Sequence, residues 1–68
     1  NMPRLTNGTF IVGSISDVGL SISKEPKEHA TAVIAKREAE RLAKSDGSKE
    51  FTVFQVVGTV KAVGVTWS

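Results

Sequence analysis

Sixty-eight residues with nine basic and seven acidic side chains (net +2), one His and no Cys describe one small domain without a disulfide framework or a Cys/His metal centre. A chain of this size buries only about 60% of the surface its unfolded form exposes, so its stability must come from tight helix-on-sheet packing or from self-association. The near balance of charge argues against a nucleic-acid binder, and no apolar run approaches the ~20 residues that span a bilayer.

Residues 1–8 read as a loose lead-in, interrupted by Pro3 and by Asn7-Gly8. With one Arg and no long apolar segment, NMPRLTNGTF does not have the form of a signal peptide. Asn1 reads as an addition ahead of a natural start at Met2. Asn7-Gly8-Thr9 matches a glycosylation sequon, a coincidence in the absence of a secretory signal.

Residues 9–23 read as a β-hairpin. In Thr9–Ser16 (TFIVGSIS), Phe10 and Val12 point to one face and Ile11 and Ile15 to the other. Gly13 between them marks a bulge or a close approach of another backbone. Asp17-Val18-Gly19 is the turn, with Gly19 free to take a positive φ. Gly19–Ser23 (GLSIS) alternates, which predicts Leu20 and Ile22 turned inward and Ser21 and Ser23 outward.

Residues 27–46 carry the helix. Two starts compete: Pro26 as the first helical residue, or Thr31 as N-cap after an extended lead-in. The second lacks a complete capping box, because Ile34 stands where a Glu is wanted. Ala32, Ala35, Ala39, Leu42 and Ala43 form the inward stripe, and Lys36, Arg37, Glu40, Arg41 and Lys44 cover the rest. The short alanine side chains bring the helix close to the sheet, leaving the bulk of the core to Phe10, Leu20, Ile22, Phe51, Val53 or Phe54. Asp46-Gly47 ends the helix, with Gly47 suited to a left-handed cap.

Residues 50–67 are the C-terminal strand region. Glu50–Val57 is apolar on both alternating faces, with Phe51, Val53 and Val57 on one and Phe54 and Val56 on the other. Such a strand is either central or has one face in an intermolecular contact. Gly58 can bend the run before Thr59–Ala62. The tail, VGVTWS, is strand-like again, and Trp67 with Val63 and Val65 either caps its own domain or adds to a neighbour.

No catalytic constellation stands out. His29 has no partners in sequence for catalysis or metal binding and reads as a surface or helix-start histidine. The acids Glu25, Glu28, Glu38 and Glu40 read as solvated side chains, and the glycines form no phosphate-binding loop. No cofactor is implied.

The central block KEPKEHATAVIAKREAERLAKSDGSKEFTVFQVV resembles short uncharacterised proteins encoded by bacteriophages and prophages. The matching residues are His29, Thr31, Ala35, Glu38, Ala39, Glu40, Arg41, Leu42, Ala43, Phe51, Val53, Val56 and Val57, over about half of the chain. The resemblance implies a phage or bacterial cytoplasmic setting and an accessory role in binding a host or phage protein. It implies no activity.

The expected fold is α+β, a ββαβ(β) domain with one helix on one face of a largely antiparallel sheet. The expected function is that of a non-enzymatic interaction protein, homodimeric through Phe51, Val53, Phe54, Val56, Val57 and Trp67. The alternative is nucleic-acid binding through Lys36, Arg37, Arg41 and Lys44, which would be salt-dependent.

Overall fold

A computed structural model describes residues 5–62, 64 and 66–67. The start at Asn1–Met2, Pro3, and Val63 and Val65 of the apolar tail lie outside the described residues. The chain forms β1 (Phe10–Ser16), β2 (Gly19–Ser21), α1 (Ala32–Ser45), β3 (Glu50–Gln55), β4 (Val60–Lys61) and β5 (Thr66–Trp67). This is the α+β arrangement of one helix and an antiparallel sheet.

The hairpin turns over Asp17 and Val18, and Gly19 takes φ +111°, a left-handed value that side chains disfavour. Register pairs Ile15 with Leu20 and Ser14 with Ser21. On its other edge β1 pairs antiparallel with β3, from Phe10 opposite Gln55 to Ile15 opposite Glu50. The sheet order is therefore β2-β1-β3, with β1 central. β3, with apolar residues on both faces, is an edge strand. At the start of β1 the place beside Phe10 is filled by His29, through two main-chain hydrogen bonds of 2.8 Å.

Strand pairing puts Phe10, Val12, Phe51 and Val53 on one face and Ile11, Gly13, Ile15, Leu20 and Phe54 on the other. Val12 lines a depression with Glu38 and Leu42 of the helix, so α1 covers the Phe10–Val12 face. Its contact is close: Ala35 is 0% exposed. Ala32, Ala39 and Leu42 are half-buried, and Ala43, expected on the inward stripe, is exposed. Glu38 is half-buried on the inner side instead.

The helix starts from Thr31, whose hydroxyl accepts from the Ile34 amide at 3.2 Å, and Pro26 lies outside it. A cap that satisfies one amide is enough without the reciprocal Glu. The expected helix over 27–46 is shortened at its start because His29 is held in the main-chain bridge at Phe10. Gly47 does not take the left-handed conformation. The helix ends at Asp46, whose N–H reaches Leu42 O at 2.9 Å. The Asp46 carboxylate then accepts from Ser48 N (3.1 Å) and Ser48 Oγ (2.6 Å), so a side-chain turn does the work expected of glycine.

Leu20 and Ile22 do not point into the helix-covered core. They lie on the opposite face, over Gly13, where they are 55% and 44% exposed. Gly13 produces no bulge, since the β1–β3 register runs through it. A Cβ at that position would stand 3.0 Å from the Phe54 ring, 3.2 Å from Ile22 Cγ1 and 3.3 Å from Leu20 Cδ1. The close approach is by side chains rather than by a backbone.

β3 ends at Gln55 rather than running to Val57, although Val56 still bonds to the Thr9 carbonyl at 2.9 Å. β5 pairs with β4 of its own chain, Trp67 opposite Val60. Among the described residues this ribbon touches neither the three-stranded sheet nor the helix. The Cα radius of gyration is 13.4 Å, against roughly 11 Å for a compact chain of this length.

Two substitutions check this packing. Gly13→Ala pushes against the Phe54 edge and is expected to cost about 1 kcal/mol, at the low end for overpacking because Leu20 and Ile22 can yield toward solvent. Thr31→Ala removes the helix cap and is expected to cost about 1 kcal/mol. Urea unfolding followed by far-ultraviolet circular dichroism reads both as lowered midpoints with an unchanged slope.

Candidate interaction surface

Only two hydrophobic residues are buried among those described, Ile11 at 6% exposure and Ala35 at 0%. Among the described residues no large side chain is fully enclosed. The apolar residues that strand alternation places opposite the helix therefore form a surface. It runs from Ile11, covered at one end, across Gly13 to Ile15 (41% exposed), Leu20 and Ile22. Phe54 lies half-buried beside them. Glu50, opposite Ile15 in register, is the charged residue at its rim.

The residues expected to form an interface are not brought together on one surface. Phe51 and Val53 are half-buried on the helix side of β3, and Phe54 is half-buried on the outer side. Val56 is half-buried just beyond the strand. Val57 and Trp67 are exposed, Trp67 at 68%, and Trp67 leaves most of its ring in solvent rather than capping the domain. Ile15, Leu20 and Ile22 were missed as surface residues. Their alternation is visible in GLSIS, but alternation does not say which face a single helix will cover.

A second feature surrounds the lead-in to the helix. Lys27, Glu28, His29, Ile34, Arg37, Glu38 and Arg41 line an open groove of about 500 Å³. His29 is buried there, not on the surface as expected, because both its main-chain groups are bonded to Phe10. Glu28 Oε1 accepts from the Thr6 amide at 2.6 Å and lies 2.8 Å from the Thr9 hydroxyl, which ties residues 6–9 to the lead-in. The Thr6 amide, helped by Thr9, holds the Glu28 carboxyl below its ordinary range. Glu38 makes a two-pronged pair with Arg41, Nε to Oε1 at 2.8 Å and Nη2 to Oε2 at 2.7 Å. That pair holds the Glu38 carboxyl low and the Arg41 guanidinium high. Asp46 is held low by Ser48.

Lys36, Arg37, Arg41 and Lys44 are all exposed on α1, interleaved with Glu38 and Glu40. Among the described residues no group of three or more His, Asp or Glu side chains is placed to hold a metal ion. No helix among them is long and apolar enough to cross a membrane.

No protein-family model matches the chain, and no curated protein or solved structure matches it either.

The three lowered carboxylates set the response to acid. Each titrates lower in the fold than in the unfolded chain, so the stability it adds is present above its ordinary pKa, 4.5 for Glu and 3.8 for Asp. That stability is lost as pH falls through the lower, folded value. The melting temperature is expected to be level near neutrality and to drop on acidification below about pH 4.5. Glu28→Gln is expected to lower it at pH 7 and to make the acid drop shallower, as read by thermal melts at pH 7, 4 and 3.

Proposed function

We propose that this chain is a non-enzymatic interaction protein that acts by binding another protein, with self-association as its first such contact. The observation that supports this reading most is the imbalance of the core. Among the described residues two buried hydrophobics stand against an exposed set in which Ile15, Leu20 and Ile22 adjoin on one sheet face, with Val57 and Trp67 also exposed. Exposed apolar surface that is contiguous, rather than scattered, is the usual mark of a contact site.

The C-terminal strand region, Phe51 to Val57 with Trp67, supplies part of that exposed set, and homodimerisation through it is the form of the proposal that the sequence suggests. A phage or bacterial accessory role, with a host or phage protein as further partner in the cytoplasm, is the setting that the resemblance of the central block implies. The alternative of nucleic-acid binding through Lys36, Arg37, Arg41 and Lys44 has less in its favour, because Arg41 is committed to Glu38.

Light scattering and sedimentation across the micromolar range test the reading. The expected result is a mass that rises from one chain toward two with concentration. A single chain throughout, to high micromolar concentration, overturns the self-association half of the proposal.

A further inference from the structure

We propose that the groove beside the first turn of α1 binds a phosphate group, with the imidazole of His29 at its base and the exposed Lys27 and Arg37 at its rim. This goes beyond the protein-binding reading above and does not depend on it.

His29 is 7% exposed. Its main-chain N–H and C=O are both taken by Phe10. The side-chain hydrogen bonds around it run from Glu28 to Thr6 and Thr9 and from Arg41 to Glu38, and none among the described residues reaches its ring. Yet no side-chain nitrogen of a buried residue among them is both sealed from solvent and unbonded. The ring nitrogens therefore open into the depressions that His29 lines. A neutral imidazole keeps one N–H and an imidazolium has two, so the ring has a donor for an anion in either state. A buried donor held at an opening without a protein partner calls for a ligand or water to satisfy it.

The charges around the ring favour an anion. Lys27, Arg37 and Arg41 line the groove against two carboxylates, Glu28 and Glu38. Both carboxylates are engaged already, Glu28 by Thr6 and Thr9 and Glu38 by the two-pronged pair with Arg41. Lys27 and Arg37 make no ion pair among the described residues. The first turn of α1 carries no acidic side chain, so the positive end of the helix adds to the field. Ammonium and guanidinium groups bond phosphate oxygens with charge assistance. At about 500 Å³ the groove has more room than a phosphate group fills. Ala30 and Ile34 on its wall offer an apolar contact to an attached organic group, which favours a phosphate monoester over inorganic phosphate.

The chain has one His, so the His29 ring protons give signals of their own in a proton NMR spectrum. Inorganic phosphate and phenyl phosphate are titrated at constant pH and ionic strength, with chloride as control. The expected result is a saturable shift of the ring signals with both phosphates and none with chloride, phenyl phosphate binding several-fold tighter. Lys27→Gln and Arg37→Gln, at exposed positions that leave the fold intact, are each expected to raise the dissociation constant about fivefold. Lys44→Gln, exposed on the same helix outside the groove, is expected to leave it unchanged. A second measurement needs no variant: the melting temperature of the wild-type chain is expected to rise with phenyl phosphate beyond the chloride control. Ring signals that move without saturating, or equally in chloride, overturn the site. A loss from Lys44→Gln as large as from Arg37→Gln puts the anion on the exposed helix face and overturns the groove. Equal affinity for the two phosphates supports the site and assigns it to the phosphate group alone.

Discussion

One helix can cover one face of a sheet, and this chain has a sheet that is apolar on both. Most other features follow from that constraint. α1 is built from short side chains, so it sits close enough to seal Ala35 completely, but it brings little bulk of its own. The inner layer is thus filled by Phe10, Val12, Phe51 and Val53 from the strands, and these remain half-buried. Among the described residues the outer layer has no cover of comparable size, and Ile15, Leu20 and Ile22 lie over the sheet with about half of each side chain in solvent. Burial that folding does not provide can come from association.

The elements were legible in the sequence because they rest on local physics. Periodicity places the helix body, the alternation of TFIVGSIS and EFTVFQVV places β1 and β3, and Gly19 has the positive φ that its turn requires. What was not legible depends on tertiary choices. Thr31 and Pro26 are both sound helix starts by local rules. The bridge between His29 and Phe10 decides between them, because it holds the lead-in extended. Leu20 and Ile22 alternate with serines in either orientation of the hairpin, and only the placement of α1 shows that they face away from it. Gly47 has the conformational freedom for a cap, yet Asp46 completes the turn first with its own carboxylate. The edge position of β3 was equally hidden, since pairing order is a property of the whole sheet.

The lead-in between hairpin and helix is an ordered part of the fold. His29 continues the edge of β1 that β2 leaves after three residues, and Glu28 ties residues 6–9 into the same corner. Main-chain pairing along β1 thus passes from β2 to His29. The cost is a buried imidazole in a small domain, accommodated where two depressions meet beside Glu38.

The position of Trp67 has a consequence for how this protein is observed. It is the only Trp and there is no Tyr, so the intrinsic fluorescence of the chain comes from one indole. That indole sits on a two-residue strand in a ribbon that, among the described residues, touches neither the main sheet nor the helix. Its emission follows the ribbon and is largely blind to the packing of α1 on β1 and β3. A fluorescence transition that departs from the circular dichroism transition would ordinarily be read as a folding intermediate. In this chain the same disagreement arises from geometry, because the optical reporter and the cooperative core occupy different parts of the molecule.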